Sequence, residues 1–292
     1  MDLLTNILAA TMVAGTPLLL VALGELICER SGVLNLGQEG MMLMGAVAGF
    51  IATLSTGSLA AGVVVAMLTG LAMSMLFAVM AVTLSANQYA AGLALTIFGT
   101  GLSAFVGAGF VGQSIEGFEK IAIPLLSDLP VLGRALFTQD LLVYFSWLVF
   151  AGVALFLRFS RGGLVLRAVG ESPGAANANG LRVLTVRYLA VAFGGAMAGL
   201  AGAYLSLAYT PMWTENMTSG RGWIALALVV FASWRPGRLL LGAYLFGAAS
   251  ILHLVLQGLG WRSPTELLAM LPYVVTILML VLLSWHPART RL

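Results

Sequence analysis

The sequence predicts an all-α polytopic membrane protein of about nine transmembrane helices, within a range of eight to ten, with the N-terminus outside and the C-terminus in the cytoplasm. Three observations carry this reading. Charge is scarce: the 292 residues hold 14 basic and 11 acidic side chains, 9% in all, against about 25% in a soluble domain. Apolar residues make up 60% of the chain, enough for roughly eight or nine spans of ~20 residues. The basic residues fall mostly on alternate connections between apolar runs. A water-soluble enzyme, a disordered chain and a nucleic-acid binder are excluded together. A net charge of +3 is too small for a nucleic-acid footprint, and the single Cys28 leaves no disulfide framework or cysteine-rich metal site.

Nine apolar runs are the candidate spans. They are Leu3 to Gly24, a short Gly40 to Leu54, Leu59 to Leu84, and the glycine-rich Tyr89 to Val111. Leu141 to Leu157 and Tyr188 to Tyr209 follow. Trp223 to Trp234 is too short for a straight crossing, and Leu239 to Leu256 and Leu267 to Trp285 complete the set. Hydrocarbon requires every backbone polar group to be satisfied within its element, so the runs are helices. They lack the strict alternation of a transmembrane barrel.

The connections between runs set the orientation. The side that begins with 25–39 holds Arg30, Arg158, Arg161, Arg167, Arg182, Arg187, Arg235, Arg238, Arg289 and Arg291. The other side holds Lys120, Arg134, Arg221 and Arg262. This bias places the first side in the cytoplasm. The first run has Asp2 and no basic residue ahead of it and lacks a small-residue cleavage pattern, so it is expected to remain as a helix. Small residues recur every four positions at Gly62, Ala66, Gly70, Ser74 and Ala78, at Gly195 and Gly199, at Ala198 and Gly202, and at Gly45 and Gly49. That spacing lets helix backbones approach closely, within the chain or at a subunit contact.

Several chemistries are missing. Lys120 is the only lysine and has no glycine-rich loop before it, so no P-loop is present. Gly107-Ala108-Gly109-Phe110-Val111-Gly112 fits a dinucleotide fingerprint, but it sits at the end of an apolar helix rather than in a βαβ unit. Gly170-Glu171-Ser172-Pro173-Gly174 fits a hydrolase elbow, but Pro173 lacks the N–H that the oxyanion hole needs. His253 and His286 are too far apart for a local zinc motif. The third to sixth, eighth and ninth runs contain no acid, which argues against a proton-coupled carrier.

Two polar segments carry information. The first, Gly24 to Gly40, packs Glu25, Glu29, Glu39, Arg30, Asn35 and Gln38 among regularly placed Val33, Leu34 and Leu36. It reads either as a solvated loop or as broken backbone dipping into the membrane, with Asn35, Gln38 and Glu39 facing a polar pathway. A similar interruption, Ser85-Ala86-Asn87-Gln88, opens the fourth run. The second segment is the 158–187 connection. Ser172 suits an N-cap, Pro173 a first helical position and Gly180 a stop, which predicts a short helix at about 172–180. Its small, smooth faces suit docking in a groove of another protein, or a plain surface helix.

Together these segments resemble the permease subunits of ATP-binding-cassette importers of the branched-chain amino acid, ribose and nucleoside group. The likeness covers essentially the whole chain. It is strongest to the nucleoside and simple-sugar permeases that work with basic-membrane-protein-type binding proteins. Glu29-Arg30-Ser31-Gly32 and Asn35-Leu36-Gly37-Gln38-Glu39-Gly40 are the more specific marker. Asn87-Gln88 before Gly92-Leu93-Ala94-Leu95 supports it. Arg167-Ala168-Val169-Gly170-Glu171, continuing through Pro173, Ala175, Ala176 and Gly180, resembles the family's coupling loop.

The resemblance implies a single permease domain over 1–292 in a bacterial plasma (inner) membrane. It implies three protein partners: a cytoplasmic ATPase, a second homologous permease and an extracytoplasmic solute-binding protein. Coupling contacts fall on Glu171, Ser172, Pro173, Ala175, Ala176 and Gly180, and substrate-path roles on Asn35, Gln38, Glu39, Asn87 and Gln88. The chain itself needs no metal or cofactor, since ATP and magnesium belong to the ATPase. The expected solute is a nucleoside or a related small neutral molecule, with a sugar or a branched-chain amino acid as alternatives. A self-sufficient carrier or channel is the reading from another class.

Overall fold

A computed structural model of the chain describes residues 2–124, 127 and 132–258, with isolated positions 270, 274, 277 and 281. Eleven helices follow in order: α1 (Asp2–Arg30), α2 (Gln38–Thr56), α3 (Leu59–Ala78), α4 (Gln88–Gly107), α5 (Leu132–Leu136), α6 (Leu141–Phe159), α7 (Arg161–Glu171), α8 (Pro173–Ala178), α9 (Val183–Tyr204), α10 (Arg221–Phe231) and α11 (Pro236–Gly258). Single π turns extend α3 to Thr83 and α9 to Tyr209, and a 3₁₀ turn extends α4 to Phe110.

Seven of these helices are long and apolar enough to cross a membrane: Leu4–Arg30, Gln38–Thr56, Leu59–Thr83, Gln88–Phe110, Leu141–Phe159, Val183–Tyr209 and Pro236–Gly258. The expected seventh span is not a crossing. It is the 11-residue α10, only ~16 Å long at 1.5 Å per residue. The expected ninth span, 267–285, and the C-terminal tail lie outside the described residues apart from the isolated positions. The structure is also not purely helical. β1 (Lys120–Ala122) and β2 (Thr138–Asp140) pair antiparallel, Ile121 opposite Gln139. The 112–140 connection is long enough to close its own hairpin, which uncharged apolar runs do not signal.

α1 is the central post. Leu18 to Leu23 are all buried, as expected of a helix surrounded on every side. It continues six residues past its predicted end at Gly24, to Arg30. The chain then turns at Gly32, whose φ of +80° favours glycine, and α2 restarts at Gln38. The 25–39 segment is therefore one helical turn and a half of α1, a tight turn and the start of α2, and not an open loop.

The small-residue stripes meet one another inside the chain. A Cβ on Gly45 would lie 2.5 Å from Gly199 Cα, one on Gly70 would strike Gly195 and Gly199, and one on Gly62 would reach Gly49 O at 2.8 Å. So α2, α3 and α9 form a tight three-helix seam. A second close approach joins α2 to α4, where a Cβ on Gly99 would lie 2.7 Å from Gly40 Cα.

The two ends of the bundle differ. One end carries the β hairpin, where Asp140 caps α6 by accepting from the Leu142 and Val143 N–H groups at 2.9 and 3.0 Å. Burial pushes its pKa up, against those bonds and one from the Tyr204 hydroxyl. The other end carries α7 and α8.

Candidate functional site

The first polar segment folds inward. Asn35 and Gln38 are wholly buried and converge on Glu25 from α1. Glu25 Oε1 accepts from the Asn35 N–H at 2.9 Å and Oε2 from Gln38 Nε2 at 2.6 Å. Asn35 Oδ1 accepts from the Gly37 N–H at 2.9 Å, making the turn that lets α2 begin. Gln88 joins this group by accepting from the Leu34 N–H at 2.8 Å. Asn87 is exposed and caps α4, accepting from Tyr89 and Ala90.

The start of α2 is recessed from the end of the bundle. Ser31 O accepts from Arg187 Nε, while Gln38 lies beside Gly194, seven residues further along α9. That is ~10 Å of helix rise.

Glu39 is nearly buried too, and it holds a different partner. Its Oε1 accepts from the Thr218 hydroxyl and from the Gly220 N–H at 2.8 Å. Its Oε2 accepts from the Gly222 N–H at 2.6 Å. A carboxylate at this place satisfies the free N–H groups at the start of α10. Gly222 is needed there, because a Cβ would sit 2.5 Å from Glu39 N. At its other end α10 leads to Trp234, whose Nε1 donates to Glu29 and whose carbonyl accepts from Arg30 Nη2 at 2.8 Å. Thus α10 runs from Glu39 down to the end of α1. The sequence points to its oddity only through its length.

The path into α10 is not helical. Trp213 is buried against Gly107 near the far end of α4. From there residues 214–220 descend to Gly222, which lies against Glu39. Asn216 and Ser219 take left-handed backbone at φ 57° and 49°. Thr214, Glu215, Asn216, Ser219 and Trp223 are exposed. The sequence reading of 210–222 as a plain outer connection misses this descent, because the segment has the composition of a loop.

The predicted coupling element is present with different bounds. α8 covers Pro173–Ala178, shorter than 172–180, with the Ser172 hydroxyl accepting from the Ala175 N–H at 3.4 Å and Gly180 at φ +78°. It follows the separate amphipathic helix α7, which 158–187 does not announce as a helix. Glu171, Ser172, Gly174, Ala175 and Ala178 to Gly180 are exposed and Pro173 is half-buried. Ala176, expected on the contact surface, is only 4% exposed and turns toward its own chain. A six-residue helix has one outward face, and Ala176 lies on the other. α7 fits against the end of α1 so closely that a Cβ on Gly170 would strike the Arg30 carbonyl.

One apolar groove of about 550 Å³ lies between α6, α7 and α9, lined by Ile27, Leu148, Phe156, Leu166, Leu189 and Phe193 among others. It has no polar group to orient a solute. Among the described residues no three acidic, histidine or cysteine side chains cluster to hold a metal.

A family model described as branched-chain amino acid transport system / permease component matches residues 7–280. The chain belongs to this permease family. It is a multi-pass plasma-membrane protein and the permease subunit of an ATP-binding-cassette importer. The permease is 46% identical to a candidate glucose ABC transporter permease of Haloferax volcanii, TsgC13, over 99% of this chain and 90% of that one. It is 34% identical to the guanosine ABC transporter permease NupQ of Bacillus subtilis, over 96% and 92%. It is 33% identical to the nucleoside ABC transporter permease NupC of Lactococcus lactis, over 94% and 91%. A solved inward-facing structure of a metal-chelate type ABC transporter shares the fold, with a TM-score of 0.51 over 96% of this permease and 86% of that chain, at 15% identity.

Proposed function

We propose that this permease imports a nucleoside, using ATP hydrolysed by a separate cytoplasmic subunit. The carrying observation is the full-length similarity to permeases named for guanosine and nucleoside transport. A simple sugar is the second reading, favoured by the 46% identity to the protein named for glucose. The two solutes share a neutral, hydroxyl-rich ring. The α7–α8 end faces the cytoplasm in this reading, supported by Arg158, Arg161 and Arg167 at that end. The N-terminus then lies outside. The exposed side of α8, through Gly174 and Ala175, seats in the ATPase, and a second permease and an outer solute-binding protein complete the assembly.

Asn35, Gln38 and Gln88 act on the path indirectly in this reading. The Asn35 N–H and Gln38 Nε2 are bound to Glu25, and Asn35 Oδ1 and Gln88 Oε1 to the 34–37 turn, so they fix where α2 begins. Glu39 fixes where α10 begins. Uptake of labelled guanosine and of labelled glucose by cells carrying the complete transporter, against cells lacking it, tests the proposal. Saturable guanosine uptake supports the first reading and glucose uptake the second. Uptake by the permease alone, without an ATPase, overturns both.

A further inference from the structure

We propose that residues 214–223 form a wall of the solute path that runs from the outer side down to half-membrane depth, with Ser219 and Trp223 touching the passing solute. Depth can be read from α4. Gly99 is the central residue of the 88–110 span, and it faces Gly40. Gly222 lies against Glu39, the neighbour of Gly40. Residue 222 is therefore near mid-depth. Trp213 lies against Gly107, eight residues further along α4, which is ~12 Å toward the hairpin end. The 214–221 stretch descends through the outer half of the bundle without helical hydrogen bonding for most of its length.

Hydrocarbon does not tolerate such a segment on its surface. Irregular backbone at membrane depth is found only buried in protein or lining water. Residues 214–223 are not covered on every side: Thr218 and Gly222 are buried against Glu39, but Thr214, Glu215, Asn216, Ser219 and Trp223 are exposed. Ser219 and Trp223 flank Gly222 in sequence and so lie closest to mid-depth, while Glu215, two residues past Trp213, lies at the outer mouth. The contrast with the apolar groove beside α6 is direct, because that groove has lipid-compatible walls throughout. The end of α10 is not itself the site. Its N–H groups at Gly220 and Gly222 are already taken by Glu39. What faces the path is a hydroxyl, an amide, a carboxylate and an indole face. That set suits a neutral ring bearing hydroxyl groups, which stacks on the indole and hydrogen-bonds at its rim. The identity of the solute rests on the proposed function; the position of the wall does not.

The native background favours a thiol test, because Cys28 is the only cysteine and is buried. Ser219→Cys and Trp223→Cys are made in the complete transporter in right-side-out vesicles, with Leu148→Cys on the lipid-compatible face of α6 as the control. Both path variants should react with a membrane-impermeant methanethiosulfonate at least about tenfold faster than the control, since the reagent needs a hydrated thiolate. Modified Ser219→Cys should lose guanosine or glucose uptake while its ATPase still copurifies. Reaction no faster than at Leu148→Cys overturns the proposal, as does full uptake after complete modification. Oxidative cross-linking of Ser219→Cys between two permeases, without reagent access, would place the segment at a subunit contact and overturn it as well. If the unmodified transporter takes up neither guanosine nor glucose, the solute assignment falls, while the labelling rates still decide the wall.

Discussion

The 31–39 segment and the 213–223 segment each interrupt a membrane-spanning path with polar side chains, yet they direct those side chains oppositely. In the first, Asn35, Gln38 and Glu39 are buried and bonded to Glu25, the Gly37 N–H and the start of α10. In the second, Glu215, Asn216 and Ser219 stay outward. The difference teaches that a polar break in a membrane bundle has two uses. A buried, internally bonded break stores the position of a helix start, because moving it would orphan buried donors. An outward break needs water or solute beside it. Glu39 joins the two, since it belongs to the first segment and holds the lower end of the second.

Breaking the anchor should have the largest effect on stability. Glu39→Ala orphans the buried Thr218 hydroxyl and Gly222 N–H, each worth about 1–3 kcal/mol when unsatisfied, and the part-buried Gly220 N–H. The purified variant should lose several degrees of thermal stability in detergent or fail to run as a single species. Glu39→Gln keeps one acceptor oxygen and should recover part of the loss. An unchanged melting temperature for Glu39→Ala would erase the distinction between the two segments.

Gln38→Leu tests the same anchor more gently. It removes one donor from Glu25 and leaves the Asn35 N–H bond in place. A loss of about 1–3 kcal/mol is expected, seen as a smaller fall in melting temperature than for Glu39→Ala.

The outward positions should hardly register on stability. Ala175→Trp, on the exposed side of α8, should leave the melting temperature of the isolated permease unchanged and abolish ATP-driven uptake in the assembled transporter. Intact uptake would remove α8 from the coupling contact. Glu215→Gln should change stability by no more than about 0.5 kcal/mol while altering the KM for uptake. A melting shift as large as that of Gln38→Leu would show that Glu215 is paired and that the second segment is an anchor too.

Much of this was legible from residue types. The helical stripes at Gly45, Gly62, Gly70, Gly195 and Gly199 pointed to close helix contacts, and they pack on one another. Ser172, Pro173 and Gly180 marked a short capped helix, found at Pro173–Ala178. The direction in which Ala176 points was not legible, since a six-residue helix of small residues has no amphipathic pattern to read. Nor did the sequence separate Glu39, buried under α10, from Glu215, which stays exposed. Both stand beside apolar runs, and only their distant partners tell them apart.

By itself the sequence determined the solvent, the helical class and the permease family, because these follow from the sum of apolar residues, their runs and a few local motifs. Tertiary structure alone decided the rest. It placed the start of α2 ~10 Å inside the bundle, with Gln38 beside Gly194. It also made the run near Trp223 a half-length helix tied to Glu39 and Glu29. The second outcome depends on hydrogen bonds between residues 179 to 205 positions apart and the first on packing against the distant α9, and no local pattern encodes partners that far away.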